Sequence, residues 1–191
     1  MDTPSRTHCI LTLRLPGNVE RVVNDLRSEL YSLTLATSTH AIPPVLPIAY
    51  LPHGTQSETV GLPAQTEITP LHVGPIDTQD ETLVLTVEMK DRWCEWLRGL
   101  DVQPAPRGMP VPLGGIFLGG SDLAGRWSSS PVRERGLSFV DRLTGLPKRL
   151  SVLHVELMSL RTSASSTWWD HLDWEILWSK RIKLRGQIVT T

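Results

Sequence analysis

Six histidines give this chain its most direct access to acid–base chemistry near neutral pH, and one of them stands two positions from a hydroxyl, in His53-Gly54-Thr55. An imidazole beside a hydroxyl is a pairing suited to general acid–base work. The flanking Pro52 and Gly54 put the group in a loop, where a surface histidine is the simpler reading. His72 and His154 sit inside apolar runs that suit hydrogen-bonded structural imidazoles, and His8 and His40 have no partner in sequence. An acid–base site in this chain would draw on His53 and Thr55, with His72 as the further candidate. His171-x-Asp173-x-Glu175 sets three metal-capable side chains on one strand face, but neighbours there are about 7 Å apart, and a solvated face is expected. Cys9 and Cys94 form no Cys-x-x-Cys, and no Gly-x-x-x-x-Gly-Lys, Gly-x-Gly-x-x-Gly or Gly-x-Ser-x-Gly occurs. No cofactor or metal is expected.

These residues need elements to position them. His8 to Leu15 alternates as a strand with Thr12 and Arg14 on one face, and Pro16-Gly17 ends it. Asn18 can cap a helix over 19–31, whose Val19, Val22, Val23, Leu26 and Leu30 recur at helical spacing, with Glu20, Arg21, Asp25 and Arg27 facing water. Ile42 to Pro52 is apolar but proline-broken, which predicts an edge, a bulge or an irregular strand. Residues 53–70 read as a surface loop, 71–88 as a hairpin, 90–99 as a short helix, 113–120 as a glycine-framed strand and 131–143 as a helix after a loop. Two strands, 150–160 and 172–184, close the chain. In the last, Leu172, Trp174, Ile176, Trp178, Ile182 and Leu184 share the buried parity, against a wet face of His171, Asp173, Glu175, Ser179, Arg181 and Lys183.

The chain has 191 residues, 40% hydrophobic and 20% charged, long enough for a core and too ordinary in composition for a disordered or fibrous protein. No apolar run is long enough for a membrane span and Met1 to Gly17 lacks the marks of a signal peptide, so a cytoplasmic location and no membrane partner are expected. The net charge of −1 hides an asymmetry: 8 Lys/Arg against 14 Asp/Glu up to Gly125, then 11 against 6. The C-terminal third is thus the place for a polyanionic partner, a nucleotide or RNA, with Arg149, Arg161 and Arg181 as its cations. Seven Trp against two Phe and two Tyr is an unusual balance, and Trp168-Trp169 stand together near a hairpin tip. That pair can stack on bases or anchor a protein partner; the plainer alternative has it cover the core edge, with Trp174 and Trp178 inside.

The opening strand ending in Leu15-Pro16, the amphipathic helix, Pro43-Pro44 before a strand, the central helix and the final hairpin with Trp174-Glu-Ile-Leu-Trp-Ser-Lys-Arg-Ile-Lys-Leu184 resemble the two-histidine phosphoesterase superfamily, the 2′,5′ RNA ligase-like and cyclic phosphodiesterase proteins. The resemblance implies an α+β fold over 1–191, a single domain of two intertwined lobes, bilobal, with two antiparallel sheets flanked by helices around a central cleft. It also implies two His-x-Thr/Ser motifs, one per lobe, facing each other across that cleft. Here the corresponding positions hold Pro47 and Ala49, then Leu113 and Gly115, none able to carry a proton. The expected protein is a catalytically degenerate member that keeps its cleft for a nucleotide, RNA end or other phosphorylated ligand. The alternatives are an active phosphodiesterase relocated to His53 and Thr55, and a protein-interaction module docking through Trp168-Trp169.

Overall fold

The computed structural model describes residues 5–61, 71–88, 91–106, 109–142, 149–150, 152–163, 167–170 and 172–183. The chain is α+β, with strands β1 (Ser5–Arg14), β2 (Val45–Leu51), β3 (Leu71–Gln79), β4 (Thr82–Glu88), β5 (Gly115–Gly119), β6 (Arg149–Leu150), β7 (Val152–Ser163) and β8 (Asp173–Lys183). Its described α-helices are α1 (Gly17–Thr34), α2 (Asp91–Leu97), α3 (Ser121–Trp127) and α4 (Ser130–Arg142). One antiparallel sheet has the order β2-β1-β7-β8 and the other β5-β4-β3-β6. The sheets meet where Leu113 N–H donates to the Pro47 carbonyl at 2.9 Å.

The helix expected after Pro16-Gly17 forms, but Asn18 does not cap it. Pro16 holds the cap position with no side-chain bond, and its carbonyl accepts from Val19 and Glu20 at 2.8 and 2.9 Å. Val19, Val23, Leu26 and Leu30 share one buried cluster with Leu11, Leu13, Val155 and Leu157 of the first sheet and with Leu85 and Ile116 of the second. Arg27 departs from its expected place in water. It lies on the same stripe as Val23 and Leu30, is 1% exposed, and donates from Nη2 to the Ile42 carbonyl at 2.7 Å. Burial without a counter-charge lowers its pKa to about 10.

β2 confirms the reading of an irregular edge strand: Leu11 pairs with Ala49 but Thr12 with Pro47, so a bulge separates them and Pro47 needs no ladder donor. The 71–88 hairpin turns at Asp80 and Glu81, both at positive φ (42° and 65°). The short helix α3 has no counterpart in the sequence reading, which places only a loop over Trp127 to Ser130; residues 121–127 are helical and bury Leu123, Ala124 and Trp127.

Two glycines make the fold possible at close quarters. A Cβ on Gly115, at φ +152°, would lie within 2.4 Å of the Leu85 carbonyl oxygen, so this position joins β5 to β4 only as glycine. A Cβ on Gly120 would lie 2.8 Å from the Trp169 ring.

On the face of the first sheet turned away from α1, a second cluster gathers Ile10, Tyr50, Met158 and Leu160 with Phe117 of β5 and the pair Trp168 and Trp169. Tyr50 is 2% exposed and its hydroxyl donates to the Pro110 carbonyl at 3.0 Å, and burial pushes its pKa up. A phenol whose folded pKa lies above the unfolded value, about 10, contributes stability that is complete below that pH and is lost as pH rises above it. Urea unfolding of Tyr50→Phe should therefore show about 1 kcal/mol less stability than the native chain at neutral pH, for the lost hydrogen bond, and a flatter decline above about pH 10. Parallel alkaline declines in the two proteins would assign that loss to other groups.

Candidate functional site

The register of β1, β7 and β8 assembles side chains from distant parts of the sequence into rows across the first sheet. Arg14 pairs with His154, and His154 with Arg181. Thr12 pairs with Glu156, and Glu156 with Ser179. Both rows lie on the α1-distal face, because Leu11, Leu13, Val155, Leu157 and Ile182 occupy the opposite parity and pack toward α1. Adjacent strands are about 4.8 Å apart, so Arg14 and Arg181 flank His154 at roughly 10 Å from each other, within reach of one anion by two long guanidinium side chains.

Glu156 is only 2% exposed. It accepts from the Ser179 hydroxyl at 3.2 Å and lies 3.7 Å from Arg14 Nη1, while Thr12 Oγ1 donates to its backbone carbonyl at 3.4 Å. Arg14 is half exposed and also approaches Glu20 at 3.8 Å. The buried carboxylate thus steers Arg14 and offsets one of the two guanidinium charges. Arg181 is exposed and has no ion-pair partner among the described residues. Arg14 and His154 also line a cavity of about 240 Å³ with Leu15, Gly17 and Glu20. Sequence reasoning paired Thr12 with Arg14 by parity but missed Glu156 and both cross-strand rows. The available signal was the shared parity of His154 and Glu156; the pairing that brings Arg14 and Arg181 beside them is a tertiary fact.

The other expected site residues are dispersed. Trp168 and Trp169 are 5% and 9% exposed and stack edge to face at 5.6 Å, with Trp168 tilted against Phe117 at 6.1 Å. They pack as core, as the plainer reading of the pair has it. Trp174, expected inside, is 40% exposed. The reason is a bulge in β8: Leu157 pairs with Trp178 and Met158 with Ile176, so Leu177 is an extra residue. The single parity expected for the strand breaks there, Trp174 and Ile176 falling on the α1-distal face and Trp178 and Ile182 on the α1 face. Arg161 lies on the α1 face, 3.8 Å from Asp173, and so does not join Arg181. Arg149 belongs to β6 of the other sheet, and its side chain lies outside the described residues, as does His171.

Pro47, Ala49, Leu113 and Gly115 come close together, through the Leu113 to Pro47 bond, but do not form paired motifs on one face. The β2 bulge turns Ala49 toward α1 while Pro47 pairs with Thr12, and Leu113, at φ 62°, packs against the α1-side cluster. His53 is exposed on a turn with Gly54 at φ 85°, and the Thr55 hydroxyl donates to the Pro52 carbonyl at 2.7 Å. His53 opens onto two cavities of about 480 and 450 Å³, the first shared with Thr55 and Gln56 and the second with Thr7, His8 and Gln103. His72, on β3 of the other sheet, lines neither. His8, without a partner in sequence, is the imidazole that shares a cavity with His53, and burial first, then the Arg6 charge, lowers its pKa. Among the described residues no group of three His, Cys, Asp or Glu is set to hold a metal ion, and no helix is long and apolar enough to cross a membrane.

No protein-family model matches the sequence, and no curated protein matches it.

Proposed function

We propose that this chain is a non-catalytic binding protein on a two-histidine phosphoesterase-like scaffold, and that it holds the phosphate of a nucleotide or RNA end on the Arg14–His154–Arg181 row. The observation that carries this reading is the cross-strand register itself, two guanidiniums flanking an imidazole on one sheet face, with a buried carboxylate orienting one of them. Guanidinium forks match phosphate oxygens geometrically, and an imidazole can donate the third bond. The positions where a phosphoesterase would carry its acid and base hold Pro47 and Leu113 instead, which supports binding without turnover.

The test is calorimetric titration of the purified chain with nucleoside monophosphates, 2′,3′-cyclic nucleotides and short RNA, with hydrolysis of the cyclic compounds followed in parallel. Saturable binding without hydrolysis is the expected result. Hydrolysis abolished by His53→Ala would replace this reading with a relocated active site, and absence of binding to every phosphorylated compound would remove it.

A further inference from the structure

β8 ends the first sheet, so its outer edge has no strand partner among the described residues. The strand of 11 residues that carries this edge also exposes apolar side chains: Trp174, Ile176 and Leu177 are 40%, 43% and 45% exposed. Long exposed edges of this kind template pairing with another strand, and natural proteins usually blunt them. The Leu177 bulge is one such blunting device against a regular partner. It ceases to obstruct when the partner carries the same bulge at the same level.

We propose that β8 pairs antiparallel with β8 of a second copy of this chain, about a two-fold axis at the Leu177–Trp178 bulge, joining the two copies' first sheets into one. The bulge sets the pairing. Counting outward from it in both directions, Glu175 falls opposite the partner's Lys180, Trp174 opposite the partner's Arg181, and Ile176 opposite the partner's Ser179. Every pair lies on a common face: Glu175 and Lys180 share the α1 side, through their β7 partners Ser159 and Val155, while Trp174 and Arg181 share the α1-distal side, through Leu160 and His154. The strand is therefore complementary to itself, with two Glu–Lys pairs, two guanidinium–indole contacts and an apolar centre of Leu177 and Trp178. Lys180 is already held in place, its ammonium donating to the Ser57 carbonyl at 2.9 Å and lying 5.4 Å from the Trp178 ring centre. Pairing would also set the partner's Trp174 beside Arg181 at the end of the Arg14–His154–Arg181 row, but it stands on strand chemistry alone and does not depend on that row binding a ligand.

Sedimentation equilibrium of the full chain tests this. The native protein should sediment at twice its 21.3 kDa chain mass. Glu175→Lys should weaken the dimer by about tenfold or more through like-charge opposition, and the double variant Glu175→Lys with Lys180→Glu should restore it. Leu177→Lys, at an exposed position, should give a monomer whose far-ultraviolet circular dichroism matches that of the native chain. A native chain that is monomeric, a dimer indifferent to Glu175→Lys and Leu177→Lys, or a double variant without rescue would each overturn the proposal. A monomer that still binds phosphorylated ligands would leave the binding reading intact.

Discussion

Replacing Trp168 by alanine is expected to cost about 3–5 kcal/mol of unfolding free energy, the largest stability effect of any substitution considered for this chain. The indole is 5% exposed and sits between Trp169 and Phe117 in a cluster that also takes in Ile10 of β1, Tyr50 of β2 and Met158 of β7. Phe117 comes from the other sheet, so the cavity left by Trp168→Ala would open where the two sheets share a core. Neighbours cannot collapse into it cheaply, because Trp169 is already seated against Gly120 with no room for a Cβ between them. Urea denaturation followed by far-ultraviolet circular dichroism measures the effect. A loss below about 1 kcal/mol would mean the indole is dispensable to packing, and would return Trp168 to the role of a docking residue.

The second large effect is functional. Arg181→Glu should reduce affinity for a nucleoside monophosphate by about a hundredfold, about 2.7 kcal/mol, while leaving the far-ultraviolet circular dichroism of the native chain unchanged. The reasons are exposure and position: Arg181 has no ion-pair partner among the described residues, and reversing its charge sets a carboxylate beside the phosphate. Arg161→Glu is the matched control. It changes the same charge on the same pair of strands but on the face toward α1, where Arg161 meets Asp173, and it should leave affinity within about twofold. Equal losses from the two variants would indicate a diffuse electrostatic field in place of a built row.

The elements were legible where local chemistry decides them. The α1 stripe of Val19, Val23, Leu26 and Leu30 follows from helical spacing, and the prolines of 42–52 announce the irregular edge strand that β2 is. Arg27 escaped because its burial depends on the Ile42 carbonyl, fifteen residues away in sequence, which lies within reach only after β1 and β2 pair. The face assignment in β8 failed at Leu177, since one inserted residue reverses every later side chain and no residue type marks the insertion.

The candidate site was legible in fragments. Charge asymmetry pointed to the C-terminal third and to Arg181, and alternation in β1 put Thr12 with Arg14. Their union with His154 and Glu156 needs the register of three strands spanning nearly the whole chain. Composition likewise singled out Trp168-Trp169 but could not say that Phe117 would close over them.

The central claim, that a phosphate sits on the Arg14–His154–Arg181 row, is tested most directly by nuclear magnetic resonance of the histidine side chains during titration with a nucleoside monophosphate. The account predicts a saturable displacement of the His154 imidazole signals that disappears in Arg181→Glu. Displacement confined to His8 and His53, or none at any histidine under saturating ligand, would contradict it.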